Sequence, residues 1–150
     1  MSSLSSRIDT ILGRIDPQRA LTHRMQRAVT LGPVLSKGGV LHVDVVCGRD
    51  LPKMDRFGKS DPYVIIDVEG HTKKTSVKKR TLNPTWREKF VMSVADSNSS
   101  LIVTAYDWDF ADDHDLMGYF SIPIFEILEN PVHDQFYTLR DKDGYPAQVT

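Results

Sequence analysis

From residue 40 onward the chain alternates apolar and polar positions, with Leu41, Val43, Val45 and Cys47 on one face and His42 and Asp44 on the other. Successive side chains of a strand point to opposite sides of its sheet, so this period of two predicts a half-buried strand. Similar runs follow at YVIIDV, KKTSVK, REKFVMSV, LIVTAYDW, GYFSIP and DQFYTL, separated by clusters of Gly, Pro, Asn, Asp and Ser. Short strands joined by such frequent turns predict an antiparallel sandwich or barrel. IFEILEN predicts a short helical turn, Trp86 a core anchor after a proline turn, and DKDG at 141–144 a hairpin turn leading into a last strand near the end of the chain.

The first 39 residues follow a different period. Leu4, Ile8, Ile11, Leu12 and Ile15 fall at helical spacing. Asp16 and Pro17 then read as a cap and a first-turn proline, opening a second helix with Leu21, Met25 and Val29 on one face. Gly32-Pro33 and Gly38-Gly39 delimit a linker over 31–39. The expectation is an amphipathic helical extension and linker over 1–39, outside the sandwich and dispensable for its folding, followed by the sandwich domain over 40–150.

A chain of 150 residues supports one domain with a real core. Its 19 basic and 20 acidic residues leave a net charge of −1, which gives no global pull toward nucleic acid or membrane. The distribution is uneven: residues 1–39 carry six basic and two acidic residues, a net +4, and the remainder carries −5. Cys47 is the only cysteine, so no internal disulfide forms; its place on the apolar face predicts an inert thiol, and the cytosol is the expected compartment. No apolar run approaches the roughly 20 residues that span a bilayer, and the start lacks the apolar core of a signal peptide, so any membrane contact is peripheral. Asp9 and Asp16 argue against a transit peptide. The five histidines occur singly, and HExxH, GxSxG and phosphate-cradling glycine loops are absent, so no enzymatic activity is expected.

One stretch demands a physical explanation. DWDFADDHD places Asp107, Asp109, Asp112, Asp113 and Asp115 within nine positions. Two carboxylates about 4 Å apart repel by roughly 4 kcal/mol at an effective dielectric near 20. In an extended backbone Asp107 and Asp109 share a face, and Asp115 follows the intervening loop just before a new strand, where it can fold back over the pair. A hard cation such as Ca²⁺, which takes about six to eight oxygen ligands, converts this repulsion into attraction. A solvated acidic loop is the plain alternative. A second acidic loop, DLPKMDRFGKSDPYV, sets Asp55 and Asp61 around Gly58. If both loops lie at one end of the sandwich, five aspartates converge.

The motifs LPKMDRFGKSDPYV, TLNPTWREKF and YDWDFADDHDLMG, in this order, closely resemble the C2 domains of protein kinase C and the synaptotagmins, over roughly residues 39–150. The resemblance implies an all-β, eight-stranded antiparallel sandwich whose calcium-loaded loops dock on anionic phospholipid. It matches Asp55 and Asp61 to the calcium ligands of the first loop and Asp107, Asp109 and Asp115 to those of the third; Asp112, in a stretch that departs from the synaptotagmin pattern, is expected to help hold a further ion. It also implies the circularly permuted, type II arrangement, with an eighth strand beginning near Gln148. Such a strand is cut short at residue 150, so the chain reads as part of a longer protein.

Met54, Phe57 and Phe110 stand at the loop tips, where apolar side chains can enter the headgroup region. Ala111 departs from the apolar tip residue of the synaptotagmin pattern, and Asp113, facing solvent, weakens docking. HTKKTSVKKR contributes Lys74, Lys78 and Lys79 to a basic sheet face that resembles a phosphoinositide-binding surface; a solvated edge guarded by lysines is the competing reading. Aromatics for base stacking are missing from that run, so nucleic acid is not an expected partner. The function expected is a calcium-dependent phospholipid-binding module. It is cytoplasmic until calcium draws it, and with it its parent protein, to anionic membranes containing phosphatidylserine and phosphoinositides. A protein-interaction domain, with calcium structural or absent and residues 1–39 engaging a partner, is the alternative. A metal-dependent hydrolase is disfavoured because no nucleophile or general base accompanies the carboxylates.

Overall fold

The alternating segments assemble into two sheets. The computed structural model describes residues 3–11, 38–54, 60–110 and 114–147. Its strands are β1 (Ser3–Ile11), β2 (Gly39–Arg49), β3 (Pro62–Val68), β4 (His71–Lys74), β5 (Thr85–Val94), β6 (Ser100–Asp107), β7 (Asp115–Pro123) and β8 (Val132–Thr138), with one short helix, α1 (Ile124–Glu129), between β7 and β8. One sheet has the order β5-β2-β1-β8 and the other β4-β3-β6-β7. All the strand pairings are antiparallel. Leu41, Val43 and Val45 of β2 bury their side chains in one core with Val64, Ile66 and Val68 of β3 and Leu101, Val103 and Ala105 of β6. Trp86 anchors this core from β5, and its indole N–H donates to the Ser76 carbonyl at 2.9 Å.

The first element corrects the helical expectation. Ser3–Ile11 is a strand, hydrogen-bonded to β2 on one side and β8 on the other. A spacing of four, as between Leu4 and Ile8, puts two side chains on one face of a helix and on one face of a strand alike, so it did not discriminate. The sheet decides, because without β1 two neighbouring strands leave their N–H and C=O groups unpaired. Leu4 is buried in the core. The segment is therefore built into the sandwich rather than lying outside it. The second expected helix and most of the linker lie outside the described residues.

β1 also takes the place expected for a strand starting at Gln148. The eight strands begin at Ser3 and the sheet order is not the permuted one; residues 148–150 lie outside the described residues. Two local departures have simple causes. Val46 is an extra residue in β2, since Ser5 pairs with Cys47 and Ser6 with Val45, and the bulge turns Cys47 off the face of Leu41, Val43 and Val45 to a half-buried position. KKTSVK contributes only its first two residues to a strand, because the Thr75 hydroxyl, not a main-chain carbonyl, accepts from the Val64 N–H at 2.9 Å.

Truncating a core side chain of β1 tests its place in the fold. Leu4→Ala should lower the unfolding free energy by about 2–4 kcal/mol in urea melts, with an unchanged m-value. A variant lacking residues 1–37 should lose cooperative unfolding, whereas a detached extension would leave both measurements at wild-type values.

Candidate functional site

Antiparallel pairing brings the acidic loops to one end of the second sheet. Asp61 immediately precedes β3, Asp107 ends β6 and Asp115 begins β7; Pro62 pairs with Asp107, and Asp107 pairs with Asp115. Along β6 the inward positions are Leu101, Val103, Ala105 and then Asp107, so the carboxylate continues the core-facing row and is only 4% exposed. The pairing with Asp115 depends on a bulge. Ala105 pairs with Gly118 and Tyr106 with Leu116, leaving Met117 as an extra residue that advances the register by one. Without it Leu116, not Asp115, faces Asp107. Gly118 permits this geometry: its φ is +147°, and a Cβ there meets the Leu139 Cβ at 2.8 Å and the Arg140 carbonyl oxygen at 3.0 Å.

The two loops are stitched together through the backbone. The Asp61 N–H donates to the Asp107 carboxylate at 2.6 Å, and the Trp108 N–H donates to the Asp61 carbonyl at 3.0 Å. The segment 80–84 straps the first loop from the other side. Gly48 N–H donates to the Pro84 carbonyl, Leu51 N–H to the Leu82 carbonyl, Thr81 N–H to the Ser60 carbonyl, and Asp50 N–H to the Asn83 side-chain oxygen. Thus TLNP, which the sequence pattern marks only as a turn before Trp86, holds the acidic loop in place.

Asp61 receives two further donors. The Arg80 N–H reaches one carboxylate oxygen at 2.7 Å and the Lys79 ammonium the other at 3.0 Å. Partial burial opposes ionisation of Asp61, but these donors and the positive charges of Lys79 and Arg80 outweigh it, and its pKa lies below the ordinary 3.8. The Lys79 ammonium also sits 3.8 Å from the centre of the Trp108 ring. Phe110 meets Trp108 edge-on with ring centres 6.5 Å apart, and it is 90% exposed. Behind the loops Tyr63 stacks on Tyr106, and its hydroxyl hydrogen-bonds Nδ1 of His114. Burial pushes the Tyr63 phenol upward in pKa. The half-buried contact of His114 with Tyr63 joins residues 51 apart, and no local pattern signals it.

Among the expected ligands, Asp61, Asp107 and Asp115 share one end of the sheet and Asp109 follows two residues beyond β6, whereas Asp55 and Asp112 lie outside the described residues. Phe57 lies outside them too; Met54 is described, and its N–H donates to the Ser60 hydroxyl at 3.2 Å. Among the described residues no group of three or more His, Cys, Asp or Glu is disposed to hold a metal ion. The chemistry of the set nonetheless fits a hard cation: its side-chain donors are carboxylate oxygens, Asp107 is buried, and an ammonium already rests on Asp61. Lys74 on β4 brings its ammonium 5.6 Å from the centre of the Tyr63 ring, and the Lys78 N–H donates to the Pro62 carbonyl. The basic run therefore borders the acidic end, with Lys73 and Lys74 exposed on β4. Among the described residues no helix is long and apolar enough to cross a membrane.

Comparison with known families matches residues 39–139 to the C2 domain. Synaptotagmin-3 of Arabidopsis thaliana is 43% identical over 93 residues, covering 59% of this chain and 17% of its own length. The eye isozyme of protein kinase C from Drosophila melanogaster is 34% identical over 115 residues, covering 72% of this chain and 16% of its own length. The chain thus spans under a fifth of these relatives. Among solved structures, the calcium-bound pair of C2 domains of Extended-Synaptotagmin 2 aligns with a TM-score of 0.64 at 30% identity, covering 67% of this chain and 40% of that one.

The donors around Asp61 predict a pH dependence. Because its folded pKa is depressed, the stability it contributes is complete above 3.8 and is lost as pH falls through the lower folded value. With chelator present, Asp61→Asn should unfold about 1 kcal/mol more easily than wild type at pH 7. The two urea midpoints should converge as pH drops below 3.8; a gap that persists unchanged at lower pH contradicts the ionic origin.

Proposed function

The chain belongs to the C2 domain family, a family of membrane- or protein-binding modules, and we propose that this member is a calcium-dependent phospholipid-binding module that brings its parent protein to anionic membranes. The observation that carries the reading is the alignment of Asp61, Asp107 and Asp115 at the ends of β3, β6 and β7, with Asp109 beyond them. Asp55 and Asp112 complete the proposed ligand set. Support also comes from the similarity to a structure described as calcium-bound. The family is non-catalytic, and the kinase relative shares with this chain a segment that is only 16% of its length.

Bound Ca²⁺ supplies positive charge and coordination sites open to oxygens of a lipid phosphate or a serine carboxylate. The protein's own residues perform the remaining tasks. Asp61, Asp107 and Asp115 hold the cation on strand ends that backbone hydrogen bonds and strand pairing tie together. Phe110, exposed beside Trp108, contributes roughly 1.5–3 kcal/mol if its ring is fully inserted among the acyl chains, with Met54 and Phe57 as the other proposed contacts. Lys74, Lys78 and Lys79 attract anionic headgroups, phosphatidylserine and phosphoinositides, at about 1 kcal/mol for each basic residue near the surface. In the metal-free state the acidic end instead repels the anionic leaflet, which makes the attachment conditional.

Wild-type protein should sediment with phosphatidylserine-containing vesicles in calcium and remain in the supernatant with chelator. Asp107→Asn combined with Asp109→Asn should abolish sedimentation, because neutralising the site lowers repulsion without restoring coordination. Millimolar calcium should raise the melting temperature of wild type but not of the double variant. Phe110→Ala should weaken vesicle binding about tenfold while leaving calcium affinity in solution unchanged. Sedimentation indifferent to chelator, or none at all, favours the protein-binding alternative. That alternative has lost one support, since Ser3–Ile11 is occupied within the sheet and is not a free partner-binding helix.

A further inference from the structure

The Lys79 ammonium is held at the acidic end by two contacts. It pairs with one oxygen of Asp61 at 3.0 Å while the Arg80 N–H occupies the other at 2.7 Å, so both oxygens are already engaged. It also lies 3.8 Å from the centre of the Trp108 ring, the residue between Asp107 and Asp109. The backbone presents it there. Lys78 N–H bonds to the Pro62 carbonyl and Thr81 N–H to the Ser60 carbonyl, and Arg80 between them has φ +53°. These anchors flank Lys79 on both sides and set the start of its side chain beside Asp61. An ion pair and a cation–π contact together hold it more firmly than either alone.

We propose that Lys79 is a tethered counter-cation of the acidic site: it holds Asp61 in the metal-free domain, and a divalent cation must displace it in order to bind. The proposal rests on the calcium reading above and adds a residue that sets the affinity of that site. Lys79 neutralises part of the charge of the acidic end, which stabilises the metal-free loops. The same contact lowers the apparent affinity for calcium, because the ion competes with an ammonium present at high local concentration. It also orders two events. The Lys79 ammonium can turn to an anionic headgroup only after it has left Asp61, so its contribution to lipid binding follows calcium instead of preceding it.

Calorimetric titration of calcium in the absence of lipid isolates the competition. Lys79→Met should bind calcium about 3- to 10-fold more tightly than wild type, the range given by losing an exposed ion pair and a cation–π contact. Lys79→Arg, which keeps the charge and stacks on an aromatic ring as well, should stay within about twofold of wild type. Lys73→Met removes an equal charge from β4 without touching Asp61 and should also stay within about twofold. In thermal melts with chelator, Lys79→Met should unfold at a lower temperature than wild type, and calcium should raise its midpoint by more. The Lys79 side chain is 59% exposed, so its replacement leaves the core intact. Equal calcium affinity of wild type and Lys79→Met, or equal tightening by Lys73→Met, overturns the proposal while the calcium reading stands. Heat from neither wild type nor Lys79→Met overturns both. Heat from Lys79→Met alone supports the proposal, showing an ammonium that excludes calcium from the wild-type site.

Discussion

The Asp61 N–H donates to the Asp107 carboxylate at 2.6 Å, and the organisation of the acidic end depends on this bond. It joins residues 46 apart and ties the entry of β3 to the end of β6. With the return bond from Trp108 N–H to the Asp61 carbonyl, it fixes two loops that carry like charge. Left to electrostatics alone, such loops separate. The neighbouring strands prevent this, because β6 is hydrogen-bonded to β3 on one side and β7 on the other. Strand pairing thus supplies the free energy that keeps carboxylates close, and the close carboxylates create a demand for cations.

The chain meets that demand internally as far as the described residues reach. The Arg80 N–H and the Lys79 ammonium serve Asp61, and the segment that carries them also straps the first loop through Ser60, Leu51 and Gly48. One turn therefore does two jobs, positioning the acidic loop and supplying its positive charge. The aromatic residues follow the same economy. Trp108 receives the ammonium on its ring and the edge of Phe110 against it, so the polar and apolar faces of the loop share one support.

Register connects this end to the rest of the sandwich. The extra residue Met117 sets Asp115 opposite Asp107, and Gly118 makes the bulge tolerable where Leu139 and Arg140 crowd the backbone. A bulge in β2 at Val46 has a quite different effect, since it only turns Cys47 partly away from the core. The same backbone device sets two carboxylates opposite each other in one sheet and only re-aims a thiol in the other. What differs is the residue placed next to the shift.

The amino-acid sequence alone determined most of the strand content, since the period of two holds along β2 from Leu41 to Val45, along β5 from Trp86 to Val94 and along β6 from Leu101 to Asp107. It also marked the acidic stretch as one that needs a physical explanation, because five carboxylates in nine positions are costly whatever the fold. Three things it could not decide. Leu4 and Ile8 suit a helix face and a strand face equally, and only the open edges of β2 and β8 choose the strand. The partner of Asp107 across β7 depends on a one-residue shift that alternation does not record. The attachment of Lys79 to Asp61 and Trp108 joins residues 18 and 29 positions apart, through a turn whose backbone is held by β3 and the first loop. Local patterning is a property of neighbours along the chain; these contacts arise from closing it in three dimensions, where hydrogen bonding of the backbone has priority over the preference of any single side chain.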